Sequence, residues 1–293
     1  MRFIIIGAAG FIGNELSRYL LERDHEVIGY DLLPEPVHAI DHEKMTYKQL
    51  GEVSAEDYRA ADCLVLLAAK RPYKEFCFAD YQSNVAIVEQ YCAAAMQHGL
   101  KNIVFASSKA VYSGEKMPWS ESERTVPSSL YGASKLAGED IGLFYSKYAG
   151  LRFKSLRFAQ IIGMGERKGY LINTLIDNAI EKKSQTIYGS GEQTRHYVYV
   201  KDVCGAILTA AGRADTYGVY NIGMDKAVSN LELAECVNRV FDNEGNLYHD
   251  YSKEMVGSND EMSIILAQRE LGFIAQYDLE ATFKDLAATV NHG

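Results

Sequence analysis

Two side chains near the middle of the chain have the types and spacing suited to proton transfer. Tyr131 and Lys135 lie four positions apart in the segment YGASKLAGE, at the start of a predicted helix. This spacing places both side chains on one face of the helix. A phenol with a pKa of about 10 is a poor base at neutral pH, but a neighbouring ammonium stabilises the phenolate and lowers that pKa. The pair predicts a tyrosine that takes the proton of a substrate hydroxyl.

A third candidate, Ser108, follows the buried apolar segment Lys101–Ala106, which predicts a strand. Ligands bind at the carboxyl ends of the strands in open α/β sheets, and Ser108 would lie there. Its hydroxyl can hydrogen-bond to the reacting oxygen, while Lys135 can hold a nicotinamide ribose. A chance pair on a solvated helix face is the alternative interpretation of Tyr131 and Lys135, since the chain has 20 tyrosines.

The N-terminal segment IIIGAAGFIG predicts a dinucleotide site. Gly7, Gly10 and Gly13 have GxxGxxG spacing between a predicted strand and a predicted helix. Such glycines permit a tight turn, close approach to a pyrophosphate and close packing of helix on strand. The N–H groups at the start of the helix face the phosphates. The cofactor-binding residues predicted in this segment are Gly7, Ala9, Gly10, Phe11, Ile12 and Gly13.

The identity of the dinucleotide follows from Asp31, at the end of the second predicted strand. A carboxylate about 20 residues after such a glycine segment hydrogen-bonds to the adenosine ribose. It would repel a 2′-phosphate, and no Arg or Lys occurs between Leu32 and Ile40 to receive one. The sequence therefore predicts NAD rather than NADP.

The elements that must position these residues alternate between strand-like and helix-like segments over the first half of the chain. The segment Cys63–Ala68 is continuously apolar, as is typical of parallel strands covered on both faces. This pattern predicts an α/β fold with a doubly wound parallel sheet of the Rossmann type. We predict an NAD-binding domain over residues 1–158 and a smaller α/β substrate-binding cap over 159–293, with about 195–222 packing back on the first domain.

The composition is that of a globular protein, with 47% hydrophobic and 24% charged residues and a formal net charge of −9. An acidic balance argues against a nucleic-acid partner, because phosphate neutralisation needs clustered Lys and Arg. The 5 cysteines form no CxxC pair and the 7 histidines no HExxH motif, so reduced thiols and no metal site are predicted. Without a signal peptide or apolar span, the chain is predicted to be cytoplasmic and free of the membrane.

These motifs, in this order, resemble the extended short-chain dehydrogenase/reductase family, in particular its NAD-dependent sugar-nucleotide epimerase/dehydratase branch. The resemblance covers nearly the whole chain and implies Ser108, Tyr131 and Lys135 as a catalytic triad. Beyond the glycines and Asp31 it rests on Leu67–Ala69, Asn84, Phe105–Tyr112, Tyr131–Lys135, Leu156–Gly165, Arg195–Val203 and Tyr220–Gly223. Besides Tyr131 and Lys135, the cofactor-binding residues that it adds are Leu67, Ala68, Ala69, Asn84 and Ser107.

The two residues after Ser108 bear on the reaction. By the resemblance, dehydratases carry Asp-Glu there and related decarboxylases carry a Glu, whereas this chain has Lys109-Ala110. Neither is a carboxylic acid, which favours epimerisation of a nucleotide-diphosphate sugar through a transient ketone. Arg195 would reach the diphosphate, and Arg167 and Lys168 are further cationic candidates. The predicted substrate-binding residues are Lys70, Ser108, Lys109, Gln160 and Arg195.

Two other functions stay open. One is an NAD-dependent dehydrogenase or reductase of a smaller alcohol or ketone. The other is a non-catalytic dinucleotide-sensing protein, although such proteins usually lose the Tyr or the Lys that this chain keeps. Relatives often dimerise by packing two helices of each subunit into a four-helix bundle. The matching segments here, Tyr81–His98 and Ser129–Tyr148, predict a homodimer.

Overall fold

A computed structural model describes the fold. It describes residues 1–33, 40–49, 51, 53–71, 76–114, 116–166, 169, 171–253 and 259–292, with the side chains of 290–292 left aside. The strands, numbered in chain order, are β1 (Arg2–Ile6), β2 (Glu26–Asp31), β3 (Met45–Gln49), β4 (Cys63–Leu66), β5 (Asn102–Ser108), β6 (Arg152–Phe158), β7 (Gln160–Ile162), β8 (Gln185–Tyr188), β9 (Thr194–Arg195), β10 (Tyr197–Tyr199), β11 (Gly218–Ile222), β12 (Val228–Ser229) and β13 (Leu247–Asp250).

The helices connect and cover these strands. In chain order they are α1 (Phe11–Leu21), α2 (Ala55–Ala60), α3 (Phe78–His98), α4 (Leu130–Ala149), α5 (Leu171–Ile180), α6 (Val200–Gly212), α7 (Asn230–Val240) and α8 (Leu279–His292). Gly99 and Gly150 end α3 and α4 in the left-handed region, with φ of 82° and 72°. A residue without Cβ adopts that conformation without strain, so both glycines are suited to end their helices.

A seven-stranded sheet in the order β11–β6–β5–β4–β1–β2–β3 forms the centre, and its described pairings are all parallel. Phe3 and Ile5 of β1 enter a core with α1 and α6, whereas Ile4 enters a second core with α3. Because both faces are covered, β1 and β4 are almost entirely apolar, as is typical of inner strands. The predicted doubly wound parallel sheet of the Rossmann type is confirmed.

The edge strand β3 and the short helix α2 were not predicted from the sequence. The strand has the sequence MTYKQ and none of its residues is fully buried. An edge strand that is partly exposed needs no continuous apolar segment. The sequence of β3 therefore carries no pattern that separates it from a loop. The helix α2 begins after Ser54, whose side chain accepts a hydrogen bond from the Asp57 N–H and thereby caps it.

The C-terminal part of the chain builds a smaller third core and also returns to the sheet. Leu175, Leu233 and Phe283 bring α5, α7 and α8 together in that core. The strand β11 pairs with β6 as the edge of the central sheet. The chain thus leaves the sheet after Phe158 and rejoins it at Gly218, although the division into domains stays a prediction. None of the described helices has the length and apolar character needed to cross a bilayer.

Candidate active site

The glycine turn between β1 and α1 is fixed by close backbone packing. Gly7 has a φ of 95° and donates its N–H to the Tyr30 carbonyl at 2.8 Å. A Cβ at Gly7 would lie 2.8 Å from the Ala68 nitrogen, and a Cβ at Gly13 would overlap the Gly7 carbonyl oxygen. The GxxGxxG spacing therefore has a steric cause, because helix, turn and strand approach one another too closely for side chains.

The start of α1 is suited to a pyrophosphate. Gly10 is its N-cap, and among the described residues no side chain caps the helix. The N–H groups of the first turn therefore face outward with their partial positive charge, as an anion requires. Asp31 ends β2 beside this turn, and its Oδ2 accepts the Ala9 N–H at 3.0 Å. The segment fits the predicted dinucleotide, and Phe11 packs against Gly163 beside it.

The segment after β4 continues the nucleotide site. The Leu67 and Ala68 N–H groups both donate to the Ile6 carbonyl, at 3.0 and 2.9 Å. Leu67 and Ala69 line the same cavity as Ile12 of α1. These apolar side chains form one wall of the cavity, at the carboxyl edge of the sheet.

Asn84 fixes the end of the segment after β4 by hydrogen bonds to the backbone of Lys70. Its Oδ1 accepts the Lys70 N–H at 2.7 Å, and its Nδ2 donates to the Lys70 carbonyl at 3.0 Å and to the Ser134 hydroxyl at 3.2 Å. The ammonium of Lys70 pairs with Asp80 at 2.9 Å, and 58% of its side chain is exposed. Neither Asn84 nor Lys70 is among the described residues that line the cavity.

Tyr131 and Lys135 lie in the first two turns of α4 and both line that cavity. The Ser129 hydroxyl caps the helix by accepting the Gly132 N–H at 3.1 Å. A Cβ at Gly132 would overlap the Ala110 carbonyl oxygen, so this glycine lets α4 dock directly on the turn Lys109–Val111 that follows Ser108. The local packing thereby brings Tyr131 and Ser108 to one site.

Lys135 is almost completely buried. Its Nζ donates to the Ala106 carbonyl at 2.7 Å and lies 5.8 Å from the centre of the Tyr131 ring. Burial, followed by the positive charge of Arg71, lowers the pKa of Lys135 to about 7, while Glu139 acts in the opposite direction. The sequence identifies the pair, but the arginine that tunes it was not predicted.

The cavity itself has a volume of about 380 Å³ at the carboxyl edge of the sheet. The Ser108 hydroxyl lies on it and accepts the Ala110 N–H at 3.2 Å. Gln160 and Arg195, which the sequence predicts to bind the substrate, also line this cavity. The full set of predicted site residues that the cavity brings together is Ile12, Leu67, Ala69, Ser107, Ser108, Lys109, Tyr131, Lys135, Gln160 and Arg195.

A buried network supports the floor of the cavity. Glu139, one turn after Lys135, forms an ion pair with Arg157 at 2.6 Å, and both side chains are at most 5% exposed. Glu139 also accepts the hydroxyl of Ser107, and Arg157 donates to Tyr112 at 2.6 Å. A buried pair of this kind is stable only with its hydrogen bonds satisfied, so the network fixes β5, β6 and α4 relative to one another.

Three features of the cavity were missed by sequence reasoning. Arg71 pairs with Glu166 at 3.2 Å, and both side chains line the cavity. Tyr112 and Trp119 stack with ring centres 5.1 Å apart and form an aromatic wall. Asp260, buried near the C-terminal end of the chain, contacts Lys109 at 2.7 Å. Only Arg71 had a local signal, as a cation directly after the Leu67–Lys70 segment.

His196 follows Arg195 in the sequence but is not among the described residues that line the cavity. His196 accepts the Met262 N–H at Nδ1 and contacts the Met224 carbonyl through Nε2, so it joins backbone segments and is fully buried. Arg167 and Lys168 lie outside the described residues. Within the described part of the chain, no group of His, Cys, Asp and Glu is arranged to hold a metal ion.

The fold and this cavity define a dinucleotide-dependent enzyme of the Rossmann type. The family model described as "NAD dependent epimerase/dehydratase family" matches residues 3–223. The chain belongs to this family, and its cofactor is NAD. The predicted resemblance and the predicted cofactor are both confirmed.

Individual relatives support the same assignment. The chain is 27% identical to an uncharacterized UDP-glucose epimerase of Bacillus subtilis (strain 168), covering 97% of this chain and 95% of that protein. Among solved structures it resembles the UDP-N-acetylglucosamine 4-epimerase from Bacillus cereus, with a TM-score of 0.86, 26% identity and coverage of 99% and 96% of the two chains. It also resembles MoeE5 in complex with UDP-glucuronic acid and NAD, with a TM-score of 0.82, 27% identity and coverage of 99% and 100%.

Proposed function

We propose that the protein is an NAD-dependent epimerase of a nucleotide-diphosphate sugar that acts through a transient keto intermediate. The observation that carries the proposal is the meeting of Ser108, Tyr131 and Lys135 on one cavity beside the glycine turn. Relatives named as UDP-glucose and UDP-N-acetylglucosamine epimerases support the reaction and the substrate class.

The residues of this chain would handle the proton of the reaction. NAD, when bound, supplies a hydride acceptor and donor at the reacting carbon. Tyr131 takes the proton of the sugar hydroxyl as that carbon is oxidised and returns it on reduction. Ser108 hydrogen-bonds to the same oxygen, and the ammonium of Lys135 favours the phenolate form of Tyr131. Glu139 holds the helix turn and the strand end that carry these groups.

The charged residues of the cavity also argue against dehydration. That reaction needs a carboxylic acid beside the reacting sugar, and the residues after Ser108 are Lys109 and Ala110. The carboxylates among the described cavity residues are Glu166 and Asp260, and each is held in an ion pair. Proton transfer by Tyr131 alone is sufficient for an epimerase.

The first test identifies the dinucleotide that the purified protein releases on denaturation. The native protein is then incubated with UDP-glucose, UDP-N-acetylglucosamine or UDP-glucuronic acid while proton NMR follows the sugar ring. We expect co-purified NAD and conversion of one sugar to an epimer without net formation of NADH. Stoichiometric NADH would instead establish a dehydrogenase, and bound NAD without any conversion of these three substrates would overturn the proposed epimerase. Released NADP would overturn the interpretation of Asp31.

We also propose that the protein is a homodimer built on α3 and α4. Phe144 and Tyr148 of α4 are 59% and 66% exposed, and Phe78 at the start of α3 is 60% exposed. Large aromatic side chains exposed on adjacent helices favour a protein interface. Sedimentation equilibrium should give twice the mass of 32.7 kDa, and Phe144→Glu should shift the equilibrium to the monomer. A wild-type monomer at micromolar concentration would contradict the proposal.

A further inference from the structure

Lys109 carries a charge in the active-site cavity that the proposed proton transfer does not use. It directly follows Ser108, lines the same cavity, and has a side chain that is 19% exposed. Its Nζ lies 2.7 Å from Oδ2 of Asp260, which is almost completely buried. A lysine drawn into a cavity by a buried carboxylate has a fixed position, unlike a lysine on a solvated surface.

The charges around Lys109 do not balance. Oδ1 of Asp260 accepts the His196 N–H at 2.7 Å, and Oδ2 contacts both Lys109 Nζ at 2.7 Å and Arg195 Nη1 at 3.1 Å. A single carboxylate thus faces two cations. Burial lowers the pKa of Lys109 even though Asp260 raises it, so the carboxylate does not fully offset the cost of burying this charge. A surplus positive charge in a partly buried site favours the binding of an anion.

The other carboxylate of the cavity does not remove this surplus. Glu166 pairs with the guanidinium of Arg71, which belongs to the segment after β4. Of the two cations on Asp260, Arg195 is the more exposed at 34% and suits a diphosphate at the mouth of the cavity. Lys109 is next to the serine that would hold the reacting oxygen, so an anion that meets it would belong to the sugar ring.

We propose that Lys109 selects nucleotide sugars whose sugar carries a carboxylate, the hexuronic acids, over those with a neutral hexose. The ammonium has three protons, and Asp260 takes one of them while fixing its direction. The others can donate to the substrate carboxylate as charge-assisted hydrogen bonds. This inference rests on the proposed function, since it takes the ligand to be a nucleotide sugar, and it names the class of sugar.

The experiment measures binding as well as turnover, with NAD-loaded protein. Isothermal titration calorimetry gives the Kd for UDP-glucuronic acid and for UDP-glucose, and initial rates give kcat/KM for each. A charge-assisted hydrogen bond predicts about a tenfold or greater preference for UDP-glucuronic acid in the wild type. Lys109→Met should abolish this preference, because the loss of affinity for UDP-glucuronic acid should exceed any loss for UDP-glucose by about tenfold or more. Lys116→Met, at a side chain that is 87% exposed, is the matched control.

Two outcomes would overturn the inference. The first is equal affinity of the wild type for the two sugars, or failure to bind either. The second is an equal loss of affinity for both in Lys109→Met, which would make Lys109 a structural support. Lys109→Gln, whose side chain is uncharged but polar, replaces Lys109→Met if circular dichroism shows that the latter does not fold. A uronate preference that depends on Lys109, without epimerisation, would sustain this inference and refute only the proposed reaction.

Discussion

The nucleotide site and the substrate end of the cavity are built in opposite ways. The nucleotide site is made by the backbone of one continuous segment, in which Gly7 and Gly13 leave no room for side chains. The substrate end is made by charged side chains from distant parts of the chain, with Lys109 and Arg195 on one carboxylate oxygen of Asp260. Steric fit governs the first region, whereas the balance of charge governs the second.

This difference teaches which changes affect the cofactor and which affect the substrate. A steric change at the glycine turn acts on the binding of NAD whatever the sugar is. Under the proposed role of Lys109, we expect a charge change around Asp260 to act on the choice of sugar and to leave the turn intact. Tyr131 and Lys135 lie between the two regions, so substitutions there separate chemistry from binding.

The largest effect is expected for Tyr131→Phe, which removes the proton-transfer group and leaves both binding regions in place. Turnover should fall by about 10²- to 10⁴-fold, the usual contribution of a general acid–base group. The amount of NAD released on denaturation should stay nearly that of the wild type. Tyr148→Phe, on the exposed face of the same helix, should keep full activity. Unchanged turnover in Tyr131→Phe would overturn the catalytic assignment.

Next in size is Gly13→Ala, which tests the steric character of the nucleotide site. The new methyl group would overlap the Gly7 carbonyl oxygen, so helix and turn must separate. We expect loss of co-purified NAD and a fall in the free energy of unfolding of about 1–3 kcal/mol. Gly212→Ala, where a Cβ meets nothing within 4 Å, is the control and should be neutral or slightly stabilising. Full NAD retention in Gly13→Ala would show that the turn tolerates side chains.

A smaller effect, of opposite sign for stability, is expected for Lys135→Met. The pKa of Lys135 is about 7 in the folded protein against 10.5 ordinarily, so between these values the unfolded chain binds more protons. The contribution of Lys135 is therefore least favourable at pH 7 and below, and it improves as the pH rises toward 10.5. Lys135→Met should lose activity in the presence of NAD. In the NAD-free state it should be more stable than the wild type at pH 6.5, with a smaller difference in stability at pH 9.5.

Urea unfolding of the NAD-free proteins at the two pH values measures this difference. The control is Lys147→Met, at the exposed end of α4, whose effect should not depend on pH. A Lys135→Met variant that is less stable than the wild type at pH 6.5 would show that the hydrogen bond to the Ala106 carbonyl outweighs the cost of burying the charge.

The smallest effect is expected for Arg71→Gln. The positive charge of Arg71 is the second cause, after burial, of the lowered pKa of Lys135. Its removal should raise that pKa and move the pH dependence of unfolding upward by less than about one pH unit. Urea unfolding of NAD-free protein across pH 6 to 9 follows the shift. A downward movement would contradict the electrostatic role of Arg71.

The same contrast explains how much of the molecule could be predicted from its sequence. The glycine turn, Asp31 and the Tyr131/Lys135 pair depend on spacing along a continuous segment. The parallel sheet was predictable from the alternation of strand-like and helix-like segments, together with the continuously apolar segment at β4. The edge strand β3 was not, since half-exposed residues carry no such pattern.

The charges of the substrate end could not be predicted for a different reason. Lys109 and Asp260 are 151 positions apart, and no local pattern at either residue indicates the other. The pairing depends on how the segment around Asp260 returns to the cavity, where Trp119 exchanges backbone hydrogen bonds with Glu261 and Ser263. The sequence could therefore name Lys109 as a cation that binds substrate. The pairing of its charge with Asp260 is visible only in the folded chain.

The return of β11 to the sheet has a consequence for exchanging parts of this enzyme with its relatives. Between Phe158 and Gly218 the chain leaves the sheet, contributes α5 to the third core, and returns through α6, which packs on the central sheet. A cut after Phe158 would remove β11, one of the two partners of β6, and leave an open edge that pairs readily with other chains. New substrate-binding parts should therefore be grafted between β6 and α6, with β6, α6 and β11 kept, rather than added by replacing the C-terminal half.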